Sequence, residues 1–223
     1  MIKKWLSYLF PISVHKQKSL INKSIDVAFR NGRLVLDTPN TNYSYGSLQR
    51  ILRLGLRQIG FPQVRAMKHI LVLGLAGGSV VKTLVDEIGY TGKITAVDID
   101  AEIVNLACNY FKINEIPNLK IKIADAQEFV KKEKSAYDLI IIDIFQDDTM
   151  PDFLFTTEFI NHIFSLMTPN GIILFNTMKI SELHSERNSK FAAYCRQTHQ
   201  VKILSNIEGS NELIFISKSD FTS

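Results

Sequence analysis

Three aspartates close three successive apolar stretches of the chain: Asp98 ends "KITAVD", Asp125 follows "LKIKIA", and Asp143 ends "YDLIIID". Carboxylates at the ends of successive buried strands are not explained by solvation alone, because an ionised group beside an apolar layer needs a partner or a ligand. Upstream, "LGLAGGSVVK" (residues 73–82) sets Gly74, Ala76, Gly77 and Gly78 between an apolar strand and a helix. Small residues at such a turn let backbone N–H groups and a helix N-terminus approach a ligand closely. Asp98 lies about twenty residues beyond that turn, where a carboxylate can accept hydrogen bonds from both hydroxyls of a ribose. The glycine run taken alone also fits a merely tight strand-to-helix turn. With the three carboxylates it reads as one wall of a shared ligand site, and glycines plus a ribose-binding acid suit NAD as well as other adenosine-bearing ligands.

These residues need a scaffold that brings strand ends together. From Lys68 onward apolar strands alternate with amphipathic helices, the pattern of a parallel, doubly wound sheet. Strands are predicted at 69–74, 93–98, 119–124, 137–143 and 171–176, with helices near 79–88, 101–112, 126–133 and 156–167. Several strands are apolar almost throughout, as strands covered on both faces must be. "QVKILSN" and "NELIFISK", joined by "IEGS", predict a terminal antiparallel hairpin. Asp100 is placed to cap the helix "AEIVNLACNYF". In an open parallel sheet, ligands bind beyond the carboxyl ends of the strands, which is where the aspartates fall.

The first third differs in kind. Asn31-Gly32 predicts a tight hairpin, and "LQRILRLGLRQIG" a helix stopped by Gly60 and Pro62. We divide the chain into residues 1–67, a β-hairpin and helix region, and residues 68–223, the Rossmann-like domain. The formal net charge of +4 hides an asymmetry, since residues 1–68 hold twelve Lys/Arg against Asp26 and Asp37 alone. Arg50, Arg53 and Arg57 recur at helical spacing and share one helix face, so either a solvated basic face or a nucleic-acid contact follows. The opening "MIKKWLSYLFPISV" is too short to span a bilayer and reads as an amphipathic segment packing on the body, with attachment to a membrane surface as the alternative. Cys108 and Cys195 show no paired spacing and the five histidines no ligand spacing, so no disulfide framework and no metal are expected, and a reducing, cytoplasmic setting fits.

From about Ile70 to Lys218 the order of features resembles a class I S-adenosylmethionine-dependent methyltransferase, and more narrowly its spermidine synthase-like branch. "AYDLIIIDIFQDD" and "LFTTEFINHIFSLMTPNGIILFN" are similar to that branch's fourth strand, following helix and fifth strand. "NYSYGSL" sits where the branch has its tyrosine-bearing loop. The resemblance implies a seven-stranded, mostly parallel Rossmann-like α/β sheet with a C-terminal antiparallel hairpin, preceded by a small β region. It implies that Gly74, Ala76 and Gly78 line the methionine moiety of the cofactor, with Gly77 also among the cofactor-binding positions. Asp98 takes the ribose and Asp125 with Ala126 the adenine, with Ile99 a further cofactor-binding position. Asp143 matches the carboxylate that, in aminopropyltransferases, holds and deprotonates the attacking amine, with Tyr45 and Asp147 as further catalytic positions. Family members of this kind often pair into dimers.

The departures from the pattern bear on the reaction. Aminopropyltransferases carry an acid where this chain has Gly77, and a polar residue and a glutamate where it has Gly46 and Ser47. Their second aspartate falls in an Asp-Ser-x-Asp-Pro type run, replaced here by "DIFQDD", which offsets Asp147 and Asp148. A polycation needs such carboxylates to replace its hydration. Methyl transfer from S-adenosylmethionine to a small molecule, amines included, therefore stands ahead of aminopropyl transfer from the decarboxylated form. A silent cofactor-binding protein and an RNA methyltransferase follow behind. Asp143 is the base expected for an amine acceptor, or else the cap of the loop that follows it; Asp147, Asp148 and Asp152 would give that site an acidic rim. Phe145 and Phe155 would stack on substrate or belong to the core.

Overall fold

The structure, a computed structural model, describes residues 2–19, 21, 24–37, 42–44, 47–146 and 149–219. After helix α1 (Ile2–Leu6), strands β1 (Ile12–Gln17), β2 (Ile25–Arg30), β3 (Arg33–Asp37) and β4 (Asn42–Ser44) form an antiparallel sheet in that order. The β2–β3 turn is the expected one, with Asn31 and Gly32 at φ 47° and 73°. The two outer strands were not expected. "ISVHKQ" mixes polar and apolar residues without a clean alternation, and β4 is three residues inside a polar stretch.

Helices α2 (Ser47–Ile59) and α3 (Phe61–Ala66) lead into the main sheet. Gly60 separates them at φ 103°, and Pro62 sits in the first turn of α3, where a missing N–H costs nothing. The sheet comprises β5 (His69–Leu73), β6 (Lys93–Asp98), β7 (Leu119–Ile123), β8 (Tyr137–Ile142), β9 (Met167–Met178), β10 (Gln200–Ile207) and β11 (Asn211–Ser217). Its order is β10-β11-β9-β8-β5-β6-β7, parallel from β9 to β7, with β11 antiparallel to both its neighbours. This is the Rossmann-like sheet with a terminal antiparallel hairpin that the sequence predicts. Lysines on the two edge strands, Lys120 and Lys122 on β7 and Lys202 on β10, discourage pairing with another chain.

Helix α4 (Ser79–Lys82) runs on as a π-helical turn, Thr83–Glu87, and α5 (Ala101–Phe111), α6 (Ala126–Lys132) and α7 (Thr157–Ser165) fill the remaining crossovers. The sequence reading missed α8 (Glu182–Cys195). Its sequence "ELHSERNSKFAAYC" lacks a continuous apolar stripe, and it buries only Asn188, Phe191, Ala192 and Cys195.

Strand alternation splits the core into two layers. Ile70, Val72, Leu139, Ile141, Leu213 and Phe215 face one way, and Leu71, Leu73, Ile140, Ile142, Ile214 and Ile216 the other. The first layer continues into Leu52 and Leu56 of α2 and Ile25, Val27 and Leu36 of the small sheet, which seats that sheet against the body. Gly55 is where α2 comes nearest: a Cβ there would lie 2.8 Å from the methyls of Leu174. The N-terminal segment is seated mainly through Ser7, whose hydroxyl accepts from Gly32 N–H at 2.9 Å while its carbonyl accepts from Asn31 N–H at 2.9 Å.

Among the described residues no helix is long and apolar enough to cross a membrane, and no group of three or more His, Cys, Asp or Glu could hold a metal ion.

Candidate functional site

Strand register brings the carboxyl ends level. Leu73 pairs with Val97 and with Ile142, and Asp98 with Ile123, so the next residues, Gly74, Asp98, Ala124–Asp125 and Asp143, emerge on one edge. Strand order reverses between β5 and β8, which opens a crevice there. A cleft of about 300 Å³ occupies that edge, lined by Gly74, Ala76, Asp98, Ile99, Asp125, Ala126 and Asp143 among others. Its size falls at the lower end of the range for small-molecule sites. Ile21, Leu48 and Ile51 roof it from the N-terminal region, and Phe145, Phe153 and Met178 form much of its far side.

The glycine turn owes its composition to protein neighbours. Gly74, at φ 92°, lies so close to β8 that a Cβ would run into the Asp143 carbonyl. Gly78, at φ 79°, would meet Ile113 at 2.6 Å. Gly77 and Gly78 are buried and do not line the cleft, so of the four small residues the structure brings Gly74 and Ala76 to its wall. Ala76 itself adopts φ 47°, a left-handed conformation that costs an L-residue roughly 1–2 kcal/mol.

Asp98 holds that strained turn. Its Oδ2 accepts from Leu75 N–H at 3.0 Å and Ala76 N–H at 2.9 Å, and its Oδ1 accepts from Asp100 N–H at 3.0 Å. Burial raises its pKa against the pull of these three bonds. Each oxygen has two lone pairs, so Oδ1 keeps acceptor capacity toward the cleft. Asp100 caps α5 as expected, through Glu102 and Ile103 N–H, and Ser19 donates to its other oxygen at 2.5 Å. Asp125 is the N-cap of α6, its Oδ1 accepting from Gln127 N–H at 2.7 Å and Glu128 N–H at 3.2 Å. Ile99, 45% exposed although large and apolar, lies on the cleft wall between them.

Asp143 is set differently. It is buried, and among the described residues its carboxylate receives one side-chain bond, from Asn176 Nδ2 to Oδ1 at 2.8 Å. Asn176 Oδ1 in turn accepts from Asn211 Nδ2 at 3.0 Å, and Asn211 Oδ1 from the Ser210 hydroxyl at 3.1 Å. The chain crosses β11, β9 and β8 in order, and every bond donates toward Asp143. Burial pushes the carboxyl up to about 7, against the opposing effect of the Asn176 bond. A carboxyl titrating there serves as a general base near neutral pH. Sequence reading missed Asn176 and Asn211; the signal was a lone amide in the apolar run "GIILFNTM".

Other expected positions fare variously. Tyr45, Gly46, Asp147 and Asp148 lie outside the described residues. Asp152 opens a 3-10 turn and does not line the cleft, although its neighbours Pro151 and Phe153 do. Phe145 lines the cleft, whereas Phe155 packs on Phe175 and Phe191 with the Arg187 guanidinium 3.8 Å over its ring. The basic face of α2 is largely consumed within the chain: Arg50 grips Glu208 with two 2.8 Å bonds, and Arg53 pairs with Glu87. Arg57 of the same face is exposed.

Together, a crossover sheet ending in an antiparallel hairpin and acids on the edges of β6, β7 and β8 define the methyltransferase-like class of fold. The chain belongs to the spermine/spermidine synthase domain family, whose model matches residues 56–206. It is 27% identical over 160 residues to a polyamine aminopropyltransferase of Vibrio vulnificus, covering 66% of this chain and 53% of that one. It is 32% identical over 139 residues to an N-terminal histidine N-methyltransferase of Emericella nidulans, covering 60% of this chain and 24% of that one. The chain thus matches about half the length of the first relative and a quarter of the second. Among solved structures, a probable spermidine synthase from Corynebacterium glutamicum superposes with a TM-score of 0.70 at 22% identity, over 94% of this chain and 78% of that one. Human methyltransferase-like protein 13, solved in complex with SAH, gives 0.66 at 23%, over 78% and 83%. These superpositions establish the fold.

Proposed function

We propose that the protein is a transferase that binds S-adenosylmethionine in this cleft and methylates a small-molecule amine, with Asp143 as the base. The observation that carries the reading is Asp143 itself: a buried carboxyl at the cleft, held by one neutral amide and titrating at about 7.

The cleft walls fit an adenosyl group. Asp98 keeps acceptor capacity for ribose hydroxyls, Ile99 offers an uncovered apolar side chain to an aromatic ring, and Asp125 and Ala126 stand at the next strand end. When bound, S-adenosylmethionine supplies a methyl carbon activated by a sulfonium. The chain's own residues prepare the acceptor. An alkylammonium has no lone pair until it loses a proton, and Asp143 is placed to accept it. The apolar surroundings, with Phe145 and Phe153 nearby, disfavour the ammonium and bring its pKa down toward that of the carboxyl. Tyr45 and Asp147 remain our proposed further members of the acceptor site.

Aminopropyl transfer from decarboxylated S-adenosylmethionine is the second reading, favoured by the family match and the Vibrio vulnificus relative. Against it stands Gly77, where aminopropyltransferases carry an acid that contacts the amino group of a cofactor with no carboxylate of its own. Titration calorimetry with both cofactors, followed by assays against a panel of amines, tests the choice. Tighter binding of S-adenosylmethionine and a methylated amine product are expected. Preference for the decarboxylated form with conversion of putrescine to spermidine overturns methyl transfer. Binding of cofactor without turnover would mark a silent binding protein, and binding of neither sinks all three.

A further inference from the structure

We propose that the turn Trp5–Phe10 is a docking surface for an anionic lipid bilayer. Of ten exposed large apolar side chains among the described residues, five fall within these six positions: Trp5 (74% exposed), Leu6 (39%), Tyr8 (60%), Leu9 (80%) and Phe10 (55%). The turn is not a loose end. Tyr8, Leu9 and Phe10 N–H bond back to Trp5 and Leu6 carbonyls, Ser7 is buried and ties the segment to the Asn31–Gly32 turn, and the Trp5 and Tyr8 rings are 6.4 Å apart. Gly32 is buried beneath the Tyr8 ring, so the apolar cluster is fixed on the tip of a β-hairpin.

Charge selects the occupant. Lys4 is exposed beside the cluster, and Arg33 is exposed at the base of the hairpin that carries it, opposite Arg30, which is ion-paired with Asp37 at 2.9 Å. Tryptophan and tyrosine with leucine and phenylalanine above a basic border is the composition that settles at a headgroup boundary. A second copy of this chain fits less well. The patch presents on the order of 600 Å², short of the roughly 800 Å² per partner of a stable interface. A two-fold contact would also set the basic border against itself. A single-stranded nucleic acid would use the aromatic rings and cations but not Leu6 and Leu9.

Trp5 is the sole tryptophan of the chain, so its emission reports on this surface alone. Full-length protein titrated with phosphatidylcholine vesicles, with and without phosphatidylglycerol, should show a blue shift and co-sedimentation only with the anionic ones. The Leu9→Ser, Phe10→Ser double variant, altered at exposed positions, should lose the shift while keeping its circular dichroism. Lys4→Glu and Arg33→Glu should each weaken binding at least fivefold, an effect that added salt reproduces. Trp5 emission unmoved by anionic vesicles overturns the proposal. So does a blue shift that grows with protein concentration without lipid, or one produced by a single-stranded oligonucleotide and not by vesicles.

Discussion

Replacing Asp143 by Asn should stabilise the fold in a pH-dependent way. The folded carboxyl titrates at about 7, and an unstrained one near 3.8. Between those values the folded chain keeps a proton that the unfolded chain has released. Stability therefore falls as pH rises through this window, by about 1.4 kcal/mol per pH unit at most. The loss is absent below the lower value and complete above the upper one. From pH 5 to pH 7 it comes to about 2.7 kcal/mol as an upper figure. Asn at this position abolishes the titration but still offers an oxygen to the Asn176 amide, so the chain through Asn211 survives. Urea denaturation of both proteins at pH 5 and pH 8 should show the advantage of Asp143→Asn growing by about 2–3 kcal/mol across the interval. Every other ionisable group cancels in that difference. A difference that stays constant with pH would refute the raised carboxyl, whatever the variant's activity. On our reading transfer activity is lost in the same variant.

Asp98→Ala should destabilise the protein by about 2–4 kcal/mol, since three backbone N–H groups lose a charged acceptor, and calorimetric affinity for S-adenosylmethionine should fall with it. Asn176→Leu strips Asp143 of its amide donor, so the carboxyl should titrate above its wild-type value and the acid limb of the pH–rate profile should move to higher pH; NMR titration of Asp143 reads the shift even if turnover is absent. Ala76→Gly relieves a left-handed alanine, and after the entropic cost of glycine a gain of about 0.5–1 kcal/mol should appear in thermal unfolding.

The sheet was legible because several of its strands are apolar almost throughout, and three strand ends were legible because an aspartate closes them. Those two signals placed Asp98, Asp125 and Asp143 on one edge. The π-helical turn after α4 and helix α8 were not legible, since neither leaves a periodic trace: α8 buries Asn188 in a polar network with Thr177 and Glu212 rather than an apolar stripe. The reason for the glycines was also hidden. Gly74 and Gly78 answer to the Asp143 carbonyl and to Ile113, contacts 69 and 35 residues away in sequence, which no local pattern records.

The three carboxylates look alike in the sequence and differ in what their partners leave them to do. Asp125 spends one oxygen on the N-terminus of α6, accepting from Gln127 and Glu128 N–H. Asp98 takes three backbone N–H groups, which fixes its geometry and makes it a strut of the turn as well as an acceptor. Asp143, in the driest place, meets a neutral amide whose own oxygen is held by a second amide. Such a chain orients the carboxylate without supplying a full positive charge to keep it ionised. A base needs that combination: fixed in direction, yet willing to take a proton near neutral pH. An arginine in place of Asn176 would hold Asp143 just as firmly and leave it too weak a base to use.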